Sequence, residues 1–229
     1  MRWIRKTTEP HELLEWRAGY KNDVNFGYDL MRSSHNVINA VTNSLLEEQG
    51  WLCAYTGLRI ESDSCHIEHI RAQTHCKPSE TVAYNNMLAC FPAPNPPFKT
   101  PYGAEKKESW PPPHEQHLFV SPLDQSCETR FLFNLNGKIR NRDDDQAART
   151  TGERLGLDHP VLESYRKSAI QGTLGKTNNL PIKDARQRLR GLMSQQSGRL
   201  EPFCFVLVQA LEKHIRRLEF IAKSKKKRK

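Results

Sequence analysis

The 229-residue chain has no long apolar run. Its longest, from Phe203 to Leu211, is interrupted by Gln209 and falls far short of the ~20 residues that a membrane-spanning helix needs. A membrane partner is therefore not expected. The opening stretch MRWIRKTTEPHELLEW has early positive charges but no apolar segment ending in small residues, so a secretory leader is not expected either, and the sequence reads as a cytosolic protein. Cysteine is sparse: six residues, at 53, 65, 76, 90, 127 and 204, make no dense disulfide framework in a chain of this length. No internal repeat is visible. A pervasive basic surface is also missing, because six of the nine net positive charges sit in the last seven residues, KSKKKRK, which leaves +3 on the rest.

That tail, 223–229, would attract phosphate backbones without reading their sequence, or it is a solvated terminus. Arg186, Arg188 and Arg190 form a second basic cluster, which a helix would spread over more than one face.

Punctuation and periodicity divide the chain into an N-terminal helical segment (1–50), a central mixed unit (51–140), a helical C-terminal part (141–222) and the tail. Thr8 to Tyr20 reads as a helix with Thr8 as N-cap and Pro10 near its start. Residues 37–49 form a second helix, with apolar residues at 37, 38, 41, 45 and 46 and Gly50 beyond its end. WLCAYTGLRIE, 51–61, alternates around Thr56-Gly57 and predicts a β-hairpin. Residues 77–90 read as helix or turn. From Phe91 to Pro113 the chain holds eight of its fourteen prolines, a long loop interrupted by GAEKKESW and of the length that is functional or disordered. RFLFNLNGKIR predicts a second hairpin around Asn136-Gly137. Helices are predicted over 145–155, 159–171, 182–196 and 201–224. The fold class is α+β.

The chemistry concentrates in CHIEHIRAQTHC, residues 65–76, with three histidines, two cysteines and Glu68 directly before His69. A neutral imidazole can take a proton from water, and a carboxylate is a hard oxygen ligand for Mg²⁺ or Mn²⁺, which would polarise a phosphate and stabilise a leaving oxygen. Adjacent strand residues point to opposite sides, so a Glu-His pair at a strand end could divide these two jobs. The dipeptide alone is also compatible with a structural histidine beside a surface carboxylate.

The segments CAYTG, HIEHIRAQ, AYNNMLACFP, GAEKKESW and FVSPLDQSCETRFLFNLNGKI together resemble an HNH endonuclease of the ββα-metal type, and more closely the PtuB family, the nuclease effectors of Septu and some retron anti-phage systems. The resemblance covers most of residues 1–175. It implies that His69 is the general base, that Glu68 is a carboxylate ligand of one divalent ion, Mg²⁺ or Mn²⁺, and that Asn86 holds the metal loop and orients the base. It places the last metal ligand at Asn95. Pro94, Pro96 and Pro97 disfavour a helix through Asn95, so the helix could instead lie at GAEKKESW, with Glu105 as the carboxylate. Arg71, Lys106 and Lys107 would hold the phosphate backbone, and His66 would contact substrate, stand behind the base, or be an ordinary surface histidine. The implied partners are nucleic acid (DNA or RNA), a PtuA-like ATPase oligomer and, in retron versions, a reverse transcriptase with its msDNA; the helical C-terminal part is the candidate docking surface, or its last helix simply closes the intramolecular core.

HNH domains are often braced by zinc on two CxxC pairs. Here Cys53 is followed by Thr56 and Cys90 by Ala93 where the second cysteines would stand. Two thiols cannot close a tetrahedral site, and Cys65, Cys76 or a histidine would have to complete it. The expectation is a zinc-less hairpin packed by Trp51, Leu52, Tyr55 and Phe91. A nucleic-acid-binding subunit without catalysis, or one that gates an ATPase, is the alternative function.

Overall fold

A computed structural model describes residues 1–141, 144–194 and 198–226. Helix α1 (His11–Tyr20) is followed by the short α2 (Tyr28–Arg32) and by α3 (His35–Glu48), which buries Val37, Val41 and Leu45 as a stripe at four-residue spacing. Strands β1 (His66–His69) and β2 (Met87–Cys90) pair antiparallel, with His66 opposite Cys90 and His69 opposite Met87. Between them lies α4 (Pro78–Thr81), and after them the single turn α5 (Ala104–Lys107). Helix α6 (Cys127–Arg130) leads into the second antiparallel pair, β3 (Phe131–Phe133) and β4 (Ile139–Asn141). Four helices follow: α7 (Gln146–Arg154), α8 (Pro160–Leu174), α9 (Ile182–Ser194) and α10 (Cys204–Lys226). The architecture is mixed α+β, with many helices and two small sheets.

One apolar core runs through these elements, from Met1, Ile4 and Leu13 through Leu45, Leu88 and Phe131 to Leu162, Val206 and Leu211. Helix α3 packs on α1, α2 and β2, while α10 packs on α9, α8 and β3. Gln49, at the end of α3, joins three segments: its Nε2 donates to the carbonyls of Leu52 (2.8 Å) and Ala89 (2.7 Å), and its Oε1 accepts from the Ala89 N–H (2.8 Å). The second hairpin is fastened to α8 by Arg166, which is buried and donates to the carbonyls of Gly137 (2.7 Å) and Leu157 (2.9 Å). Gly137 has φ +81°, and a Cβ there would stand 2.3 Å from the Glu163 carbonyl oxygen, so the turn of this hairpin requires glycine.

Several expectations need correction. The first helix begins at His11, with Pro10 and not Thr8 at its cap. The 51–61 segment forms a turn with a single bridge, Leu52 to Arg59, in place of two strands. Residues 87–90, read as helix or turn, form β2, the partner of the Glu-His strand. All four β2 residues are buried, so the alternation that marks a half-exposed strand is missing. Residues 195 and 196 of the predicted helix and 227–229 of the tail lie outside the described residues. Among the described residues no helix is long and apolar enough to cross a membrane.

Candidate active site

His69 ends β1. It is buried, with Tyr28 edge-on at 4.6 Å between ring centroids. Its Nε2 stands 2.8 Å from the Thr81 carbonyl oxygen. A carbonyl only accepts, so Nε2 carries the proton and Nδ1 the lone pair. Burial lowers the pKa of His69 below its ordinary value, with the Thr81 carbonyl and Glu68 opposing. The ring is therefore held neutral in one tautomer, the form that can take a proton.

Asn86 fixes the chain that follows. Its carbonyl accepts from Ile70 N–H (2.9 Å), its Oδ1 from Arg71 N–H (2.8 Å), and its Nδ2 donates to the carbonyls of Arg71 (3.1 Å) and Glu80 (3.3 Å) and towards Cys76 Sγ (3.5 Å). One side chain thus ties the exit of β1 to the loop that carries α4, the helix whose Thr81 carbonyl holds His69. Arg71 donates to Glu80 at 2.9 Å while both stay half-exposed, an arrangement that holds a guanidinium loosely and leaves it open to solvent.

Glu68 lies on the opposite face of β1, beside His66. Its side chain is only 13% exposed. Lys107 Nζ donates to Glu68 Oε1 at 2.8 Å and to the His69 carbonyl at 2.8 Å, the Tyr55 hydroxyl stands 3.4 Å from the same Oε1, and His66 Nε2 stands 3.8 Å from Oε2. Burial raises the Glu68 carboxyl, but His66 and Lys107 outweigh it and hold the group below its ordinary value. At His66 burial opposes the charged ring, and Glu68 together with the Pro92 carbonyl, 2.6 Å from Nδ1, raises its pKa nonetheless. Lys107 is therefore not a phosphate contact in this arrangement: its side chain is fully buried against the carboxylate. Lys106, next to it, is exposed.

A cleft of about 680 Å³ opens beside β1, and Arg32, Asn39, Asn43, His66, Asn95 and Glu105 are among the residues that line it. Asn95 is exposed, in a loop with φ +54°, and not on a helix; the helix after β2 is α5, as the GAEKKESW alternative has it. Glu105 accepts from the Thr100 hydroxyl (2.8 Å) and backbone N–H, closing the loop before α5. The implied site residues are thus divided: His66, Asn95 and Glu105 line the cleft, whereas neither Glu68 nor the buried His69 is among its lining residues. Among the described residues no group of three or more His, Cys, Asp or Glu is placed to hold a metal ion. With its Oε1 taken by an ammonium and a phenol, Glu68 does not fit the divalent ion that the resemblance implies.

Cys53 and Cys90 are buried free thiols, hydrogen-bonded to each other, with the Phe91 N–H 3.4 Å from Cys53 Sγ. Burial pushes both thiols up, but at Cys53 the hydrogen bonds from Cys90, Thr56 and Phe91 outweigh it and bring it down. Trp16 and Trp110 belong to the buried interior, while Tyr20 lies on Trp16, 43% exposed. Sequence reasoning missed Thr81, Tyr28 and Tyr55 around the Glu-His pair, and Arg32, Asn39 and Asn43 in the cleft. Asn39 and Asn43, four apart on the polar side of α3, were the one legible signal.

No protein-family model matches the chain. Over 130 residues it is 28% identical to the Vibrio cholerae serotype O1 biovar El Tor protein named "Retron Vc95 putative HNH endonuclease", a match that covers 54% of this chain and 60% of that relative. The chain therefore spans less than two thirds of the curated relative's length, and the likeness is to a retron-associated protein bearing the name of an HNH nuclease.

Proposed function

We propose that this chain is an HNH-type endonuclease that hydrolyses phosphodiester bonds of nucleic acid, as the effector of a Septu- or retron-type anti-phage system. The observation that carries the reading is His69: a buried imidazole at a strand end, its Nε2 committed to the Thr81 carbonyl and its following turn clamped by Asn86. In this mechanism His69 Nδ1 takes the proton of a water molecule, whose oxygen bonds to phosphorus as the bond to the 3′ oxygen breaks; that oxygen takes a proton from bulk water, to which His69 returns its own. Asn86 keeps the base at the end of β1. Lys106, which is exposed, and Arg71, half-exposed and paired with Glu80, hold the phosphate backbone, which positions the substrate without reading its bases. A bound divalent ion would supply charge stabilisation at phosphorus, but no step is assigned to it, because the residues that would hold it do not fit it as arranged.

The PtuA-like ATPase, the retron reverse transcriptase and msDNA belong to the same proposal. The docking surface is the helical part from residue 141 to 222, which shares its apolar core with 1–50 and 51–140. Support comes from α10: its first half is buried through Ile215, whereas Phe220 is 72% and Ile221 42% exposed. The alternative, a catalytically silent nucleic-acid-binding or ATPase-gating subunit, is favoured by one observation, the pairing of Glu68 with Lys107.

The pH profile tests the base. Because the neutral ring is the active form and its pKa is lowered, cleavage should persist as pH falls through 6.5, His69's ordinary value. The acid limb of kcat/KM, measured with a fluorescent oligonucleotide, is expected below that point. A limb centred at or above it would count against His69 as the base. Incubating the purified chain, alone and with its operon partners, with duplex DNA, single-stranded DNA and RNA tests the activity. New phosphomonoester and hydroxyl ends support the nuclease, and none under any combination supports the silent subunit.

A further inference from the structure

We infer that Lys107 is a built-in counter-cation that keeps divalent metal off Glu68. Three observations converge. The ammonium sits at contact distance from Glu68 Oε1, 2.8 Å, and donates to the adjoining His69 carbonyl at the same distance. Its side chain has no solvent exposure, so the position is enclosed. The turn that carries it is anchored from elsewhere: the Gly103 N–H donates to the Leu155 carbonyl at 2.7 Å, and the Lys107 N–H to the Gly103 carbonyl at 3.1 Å.

Glu68 Oε1 faces a second donor. Tyr55 is fully buried, and burial keeps its hydroxyl protonated well beyond the usual range, so it faces Oε1 as a neutral donor. Oε2 faces the His66 ring at 3.8 Å. A hard cation needs oxygen lone pairs that are free to face it, and here Oε1 is taken by an ammonium and a phenol while Oε2 makes no hydrogen bond among the described residues. Placing a second cation within a few ångströms of the ammonium would also set like charges against each other where water screens them poorly. An ion can take Oε1 only if Lys107 leaves it. The inference concerns Glu68 whether or not the chain is a nuclease, and its test reads metal binding directly.

Mn²⁺ titration of the full chain, followed by the electron paramagnetic resonance signal of the free ion, compares wild type, Glu68→Gln, Lys107→Met and the double variant. Glutamine keeps an oxygen for Lys107, so Glu68→Gln preserves the local shape. Wild type and Glu68→Gln should bind Mn²⁺ identically. Lys107→Met should gain a site at least tenfold tighter, and the double variant should lose it. A wild-type site that disappears in Glu68→Gln would overturn the inference, as would a folded Lys107→Met that gains no site. Should Lys107→Met fail to fold with a bare buried carboxylate, the wild type against Glu68→Gln comparison alone decides.

Discussion

Replacing His69 with alanine should lower phosphodiester cleavage by roughly 10²- to 10⁴-fold, the usual worth of a positioned general base. The ring is the only feature at the end of β1 that joins a fixed tautomer to a lowered pKa, and alanine removes the proton acceptor altogether. His69→Gln is the sharper companion, because its amide can still donate to the Thr81 carbonyl while offering no comparable base. If both variants lose cleavage to the same extent and His69→Gln melts near wild type, the loss is chemical. Alanine alone also deletes a buried ring packed on Tyr28 and leaves the Thr81 carbonyl without its donor, so some loss of stability should accompany it. Rates are therefore compared well below each melting point. Phage protection and new nucleic-acid ends, scored in cells that carry the neighbouring genes, extend the same comparison. Protection that persists with His69→Ala would transfer the biology to the silent-subunit alternative.

How far this site could be read from the chain depends on how local each feature is. The Asn136-Gly137 turn and the stripe on α3 are local, written in adjacent residues, and the structure places β3, β4 and α3 there. The strand MLAC is local too, yet it reads poorly because burial on both faces removes its alternation. Thr56-Gly57 has the residues of a hairpin turn, but the flanking segments are held by Gln49, Arg59 and the Ala89 backbone and form only one bridge. The fate of Glu68 was not legible at all. Its partner Lys107 is 39 positions away, beyond a proline-rich loop, and the same lysine beside Lys106 reads as an ordinary phosphate contact until folding buries one and exposes the other. Residue types state which chemistry is available, whereas pairing through the fold decides which of it is already used.

Gln49→Leu carries the largest expected loss of stability. Leucine keeps most of the volume, so the change isolates hydrogen bonding from cavity formation. It strips the donors from the Leu52 and Ala89 carbonyls and the acceptor from the Ala89 N–H, all within the buried junction of α3, the 51–60 turn and β2. Each buried group left unpaired costs about 1–3 kcal/mol. Ala89's carbonyl keeps its bond from the Ala54 N–H at 3.2 Å, which limits the damage there. A total of about 3 kcal/mol is expected, or a fall of roughly 6 to 12 °C in melting temperature for a chain of this size. The consequence for function runs through β2: Ala89 faces Ile67 across the sheet, and Met87 faces His69. A β2 that loses its tether to α3 holds the base and Asn86 less firmly. Cleavage should therefore fall more in Gln49→Leu than in an equally destabilising change on α9, such as Leu192→Ala, compared at matched distance below the melting point. Equal falls would mean that Gln49 serves stability alone, and a melting shift under about 2 °C would show that the junction is held by packing and not by its amide.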